Sequence, residues 1–150
     1  MKTQAFTLLE VLIVVIILGV LAGIVIPLLG NSSDDARVAS VKSDLQTIRS
    51  QLQVYRFQHN NVWPATMTLL TLSTNDSGAS GAAGTSYPLG PYVPTLPTNP
   101  FTNTTTVKTI ASSTDSNPKD GTTAWYYNPT TGTFQANVNM TVSNTVIGNL

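Results

Sequence analysis

Polar and apolar positions divide this chain into three stretches of different pattern. From Val11 to Leu29 the sequence reads VLIVVIILGVLAGIVIPLL, without a charge or a hydroxyl. As a helix this segment spans roughly 28 Å, close to the ~30 Å hydrocarbon core of a bilayer. It predicts a transmembrane helix over 6–30. The pattern then changes. Val38, Val41, Leu45, Ile48, Leu52 and Tyr55 recur at alternating steps of three and four, which is one helical face. Lys42, Asp44, Arg49 and Arg56 fall elsewhere on that helix's surface. Asn31-Ser32-Ser33-Asp34-Asp35 offers N-cap residues and first-turn acids, so the helix is expected to bend at Gly30 and restart. The pair Trp63-Pro64 ends it, with His59 as a C-terminal cap or surface residue. Residues 31–60 thus read as an amphipathic stalk.

The third stretch, 61–150, is rich in Thr, Ser, Asn, Gly and Pro. Trp63 to Leu70 looks like a turn and a short helix, and 73–86 like a flexible loop. Pro88 to Pro100 carries too many prolines for a central strand and is expected as an extended connection. Strands are expected at 104–110, 124–128, 133–139 and 142–147, with Asn128-Pro129-Thr130-Thr131-Gly132 as a hairpin loop. The fold class is α+β: a long bent N-terminal helix packed on a small antiparallel sheet.

Composition narrows the function. Charged residues are 9% of the chain, against about 25% on average. Lys plus Arg equals Asp plus Glu, so no net charge attracts nucleic acid. There is no Cys and a single His, which excludes disulfides, thiol nucleophiles and His-rich metal sites. Neither a phosphate-binding Gly loop nor a pair of catalytic carboxylates is found, and the chain is not expected to be an enzyme.

Within the apolar stretch a few residues stand out. Glu10 is a lone carboxylate at its edge, a costly placement that marks function. Gly19, Gly23 and Pro27 interrupt it, and Pro27 removes a helix hydrogen bond and clashes with the carbonyl of Gly23, so a kink is expected there. Lys2 places the N-terminus on the cytoplasmic side. A cleaved signal peptide ending near Val20-Leu21-Ala22 is the competing reading. Against it, the apolar run continues to Leu29 and an acid stands at its entrance.

The segment Ala5-Phe6-Thr7-Leu8-Leu9-Glu10-Val11-Leu12, behind the leader MKTQA, resembles the processing site of type IV pilins and of the pseudopilins of type II secretion systems. The resemblance implies a pilin fold and cleavage of the 1–5 leader by a prepilin peptidase between Ala5 and Phe6. It also implies N-methylation of the Phe6 amine. The family usually has Gly before the cut; this chain has the next smallest residue. In a bundle of such helices, Glu10 of one subunit would neutralise the Phe6 ammonium of another. Tyr92 to Phe101, with Leu96-Pro97-Thr98-Asn99-Pro100, and Trp125 to Phe134 are similar to the C-terminal part of major pseudopilins.

The residues Asp115, Asn117 and Asp120 supply spaced hard oxygens that a calcium ion could use, but Lys119 lies among them, no bidentate Glu is present, and a solvated turn between strands is the preferred reading. No other cofactor is expected. Several Asn-x-Ser/Thr triplets are what chance gives in so Asn- and Thr-rich a chain.

The resemblance implies a structural subunit held in the bacterial inner membrane, N-terminus cytoplasmic and residues 61–150 periplasmic. It would assemble with copies of itself into a pseudopilus that drives protein secretion. Its partners would be the prepilin peptidase, the inner-membrane assembly platform, minor pseudopilins and, before assembly, membrane lipid. The alternatives are a type IV pilin for adhesion, motility or DNA uptake, and a membrane-anchored extracytoplasmic binding module.

Overall fold

Thr7 opens the first element. A computed structural model describes residues 7–114, 116–142 and 145–150, with the backbone alone for 26–32; Ala5, Phe6 and Asp115 lie outside the described residues. Helix α1 runs from Leu8 to Gln58, about 76 Å at 1.5 Å per residue. The Thr7 hydroxyl caps it, accepting from the Glu10 N–H at 3.2 Å, the Thr-x-x-Glu arrangement of a capping box. His59 is the C-cap, its N–H donating to the Tyr55 carbonyl at 3.0 Å. Asn60 and Asn61 follow with φ of 52° and 67°, left-handed values that stop the helix.

The backbone stays helical through Gly30, so the expected restart at Asn31–Asp35 is not used. One helical Gly costs only about 1 kcal/mol, too little to end a helix anchored further along. The Asp34 carboxylate instead pairs with Arg37 one turn on, at 3.7 Å.

All six apolar stalk positions, Val38 to Tyr55, are buried. They pack on Trp125, Tyr127, Phe134 and Ala136 of the sheet, with Met67, Leu70 and Ile147 closing the core. Met67–Thr71 form the expected short helix, of the 3₁₀ type.

The main sheet has three strands, β3 (Val107–Thr109), β4 (Trp125–Asn128) and β5 (Thr133–Ala136), in that order. β4 and β5 form the expected hairpin, Trp125 opposite Ala136 and Asn128 opposite Thr133. β3 runs parallel to β4, Val107 opposite Trp125. The sheet is therefore mixed, which corrects the expectation of an antiparallel one. Residues 110–124 form the crossover, long enough for two parallel neighbours.

Two further corrections concern short strands. Residues 73–86 are not a structureless loop: β1 (Ser73–Thr74) and β2 (Ser80–Gly81) pair antiparallel. Their turn is fixed by the Asn75 side chain, whose Oδ1 accepts from the Ala79 N–H at 3.0 Å and the Ser77 hydroxyl at 2.8 Å. The expected strand 142–147 is replaced by β6 (Thr141–Val142) pairing with β7 (Thr145–Val146), then a 3₁₀ turn, Ile147–Asn149. The proline-rich segment is the extended connection expected, tied down by Asn99 and Trp125. The Asn99 amide donates to the Ala124 carbonyl at 2.9 Å, and the Trp125 indole donates to the Pro97 carbonyl at 2.9 Å.

Candidate assembly site

The two halves of α1 live in different surroundings. Leu8–Val25 is long and apolar enough to cross a membrane, and none of it is buried within the chain. Sequence alone dictates that: side chains such as Ile13, Val14, Ile16 and Leu21 are uniformly apolar around the helix, so no face can be satisfied by water. From Val38 onward one face is buried and the other solvated. The first half must therefore be covered by something outside the chain, a lipid phase or other helices.

Glu10 is the exception on that surface. It occupies the third helical position, where its carboxylate faces the positive end of the helix dipole. Its Oε2 lies 3.5 Å from the Thr7 hydroxyl, and the residue is exposed. Among the described residues nothing cationic meets it. Gly19 and Gly23 are equally unencumbered: an added Cβ at either would meet nothing within 4 Å, so this chain's own tertiary packing does not demand glycine. Pro27 lies in a continuous helical backbone, and its ring is outside the described side chains.

The stalk half is clamped to the domain by groups that periodicity does not reveal. Arg49 was expected simply on the surface. Its Nε and Nη2 donate to the Phe134 carbonyl at 3.0 and 2.8 Å, and Nη2 also reaches the Leu150 carbonyl. Partial burial lowers the pKa of its guanidinium, which stays charged. The only local signal was a cation bordering an apolar face. The C-cap expectation for His59 holds, but the residue is 2% exposed, not a surface group. Its Nδ1 donates to the Tyr55 carbonyl at 2.8 Å, and Nε2 meets the Thr74 hydroxyl at 3.0 Å. The ring stacks on Tyr55, centroids 3.7 Å apart. With both nitrogens engaged, His59 locks the helix end to β1. Trp63 lies under the Arg56 guanidinium, 4.6 Å from its ring, and the Tyr127 hydroxyl donates to the Pro64 carbonyl at 2.7 Å. These contacts tie the stalk half of α1 to the folded head.

Two of the candidate calcium residues, Asn117 and Asp120, have partners within the chain. Asp120 Oδ1 accepts from the Thr122 N–H (3.0 Å), the Thr122 hydroxyl (2.7 Å) and the Asn137 amide (2.7 Å). Its Oδ2 meets the Lys108 ammonium. That ammonium above all, with the Thr122 and Asn137 donors, holds the Asp120 carboxyl well below the usual carboxylate range. The Asn117 Oδ1 accepts from the Lys119 N–H at 3.0 Å, while its amide donates to the Ala136 carbonyl at 2.8 Å. The Lys108 ammonium thus takes one side of the Asp120 carboxylate, and Asp115, the third candidate, lies outside the described residues. Among the described residues no three His, Cys, Asp or Glu side chains gather in a metal-binding group.

Two family models match the chain. The prokaryotic N-terminal methylation motif covers residues 1–26, and the type II secretion system protein G model covers residues 28–117. Among curated proteins, the type II secretion system core protein G of Pectobacterium carotovorum is 42% identical over 66 residues, 43% of this chain and 41% of that protein. The protein of the same name from Pseudomonas aeruginosa is 37% identical over 65 residues, 43% of this chain and 45% of its own length. The one from Vibrio cholerae is 38% identical over 65 residues, covering 43% and 44%. The matched stretch thus spans less than half the length of these relatives. No solved structure matches the chain.

Proposed function

Because the chain belongs to the type II secretion system protein G family, we propose that it is the repeating subunit of a pseudopilus. In this reading it is stored in the inner membrane, N-terminus cytoplasmic, and is built into a helical filament whose growth drives protein secretion. The observation that carries it is the pairing on one uninterrupted helix of an unsatisfied apolar surface, Leu8–Val25, with a single carboxylate at its start. Lipid covers that surface before assembly. Helices of other copies cover it afterwards, when the Phe6 ammonium of one subunit enters a dry bundle and meets Glu10 of its neighbour. The role is structural rather than catalytic, and the peptidase, assembly platform and minor pseudopilins are its partners.

Expressing the full chain with a prepilin peptidase and a type II assembly platform tests this. Shearing the cells is expected to release filaments made of this chain. A processed protein found only in the membrane fraction would contradict the reading.

Cleavage itself depends on the residue before Phe6. A peptidase that accepts Gly there needs a small side chain next to the scissile bond. Ala5→Gly is expected to be processed at least as fast as the natural chain, and Ala5→Leu to accumulate as precursor, both measured as gel mobility over time. Processing of Ala5→Leu at the natural rate would contradict this.

The head needs no calcium in this reading, since Lys108 supplies the cation at Asp120. A site filled at a hundred times its dissociation constant would add about 2.7 kcal/mol of stability. Melting of the full chain in detergent is expected to be the same in calcium and in chelator. A rise of several degrees in calcium would show that the loop reorganises around the ion.

A further inference from the structure

The charges of this chain are few, and most of those on the described residues have partners within the chain. Asp34 pairs with Arg37, and Asp120 with Lys108. Arg49 holds carbonyls, Arg56 covers Trp63, Lys119 reaches Asn149, and Asp35 is also engaged. Beyond the membrane segment, the described residues left without a partner are Lys42, Asp44 and the loop residue Asp76. Lys42 and Asp44 lie on the stalk two positions apart, about 200° around the helix, so they flank its buried face on opposite sides. Lys42 is exposed, whereas Asp44 is half-buried. Asp44 sits in a groove of about 140 Å³ between the stalk and the proline-rich connection, lined by Thr47, Ile48, Val93, Pro94 and Pro97. Burial raises the pKa of its carboxyl. This desolvated carboxylate in an apolar groove suits a lysine, whose methylene stem packs on Val93, Pro94 and Pro97 while its ammonium meets the acid.

We propose that Asp44 in this groove receives Lys42 of a second copy of this chain, a head-to-tail contact repeated along the filament. The inference rests on the filament reading. Charge sets the occupant: Lys42 is the one cation among the described residues left without a partner, and it is exposed where Asp44 is half-buried. Different patches meet on the two partners, so the contact does not close on itself and propagates as a helix.

The full chain expressed with peptidase and platform supplies the test. Lys42→Glu and Asp44→Lys alone are each expected to cut the yield of sheared filaments by at least about tenfold, through like-charge contact. The combined variant, Lys42→Glu with Asp44→Lys, is expected to return it to within about twofold, the coupling of a direct pair. Melting of each variant in detergent should match the natural chain. The natural chain has no Cys, so Lys42→Cys with Asp44→Cys can be probed by a short bifunctional maleimide. Filaments should give a ladder of cross-linked oligomers, and each single Cys variant no ladder. Natural-yield filaments from the single reversals, failure of the combined variant to recover, or a cross-link to a different polypeptide instead of a ladder would each overturn the contact alone. Absence of filaments from the natural chain would overturn the filament reading and the contact with it.

Discussion

Glu10→Leu is expected to leave the protein inserted and processed but to abolish its filaments. Insertion does not need the carboxylate, because Leu8–Val25 is apolar enough alone and removing a charge only eases transfer into lipid. Assembly is different. In the proposed filament each Phe6 ammonium leaves water for a bundle of apolar helices, and without Glu10 it would have no partner there. Breaking a buried pair by removing one member costs about 3–5 kcal/mol. Repeated at every subunit, that moves the equilibrium from filament to membrane-stored monomer. The loss of the Thr7–Glu10 contact is minor by comparison, since the Thr7 hydroxyl caps through the Glu10 backbone N–H, which leucine retains. The measurement is the ratio of sheared filament to membrane pool. Filaments of natural yield from Glu10→Leu would reduce Glu10 to an interfacial residue.

The second large effect concerns the head. Gly132 closes the β4–β5 hairpin with φ of 75°, its N–H donating to the Asn128 carbonyl at 2.8 Å. An alanine Cβ there would stand 2.3 Å from the Trp63 ring. That ring cannot simply withdraw, since Arg56 lies over it. The left-handed backbone costs a non-glycine residue about 1–2 kcal/mol and the overpacking about 1–3 kcal/mol. Gly132→Ala is therefore expected to destabilise the head by about 3 kcal/mol, a fall in melting temperature of about 10 °C or more. Gly121 separates the two causes. Its φ is 68°, but a Cβ there meets nothing within 4 Å, so Gly121→Ala should cost only the backbone share. Equal losses from both substitutions would show that Trp63 does not rest on the hairpin.

What could be read from the sequence was what short-range periodicity encodes. The stalk's apolar residues are spaced so that one face must be buried, and all of them are. The β4–β5 hairpin was legible because Asn128 and Gly132 are chemically suited to the turn they make. The direction of β3 was not, because nothing local distinguishes a parallel from an antiparallel neighbour; residues 110–124 decide it by crossing over. Two-residue strands such as β1 and β6 are too short to show a period, and the polar composition of 73–86 conceals a hairpin held by one Asn side chain. Arg49 and His59 take partners far away in sequence, Phe134 and Thr74, so their roles exist only once the fold does. On the assembly side, Glu10 was legible because a carboxylate beside an apolar run is anomalous. The isolation of Asp44 and Lys42 became visible only when the partners of the other charges were known.

Assembly in this account depends on a chain that is first cut and methylated, and the mass of the mature N-terminus tests that most directly. Protein purified from membranes of cells carrying a prepilin peptidase is expected to begin at Phe6 with one added methyl group on its amine. A chain still beginning at Met1, or one cut near Gly23 as a signal peptide would be, would contradict it.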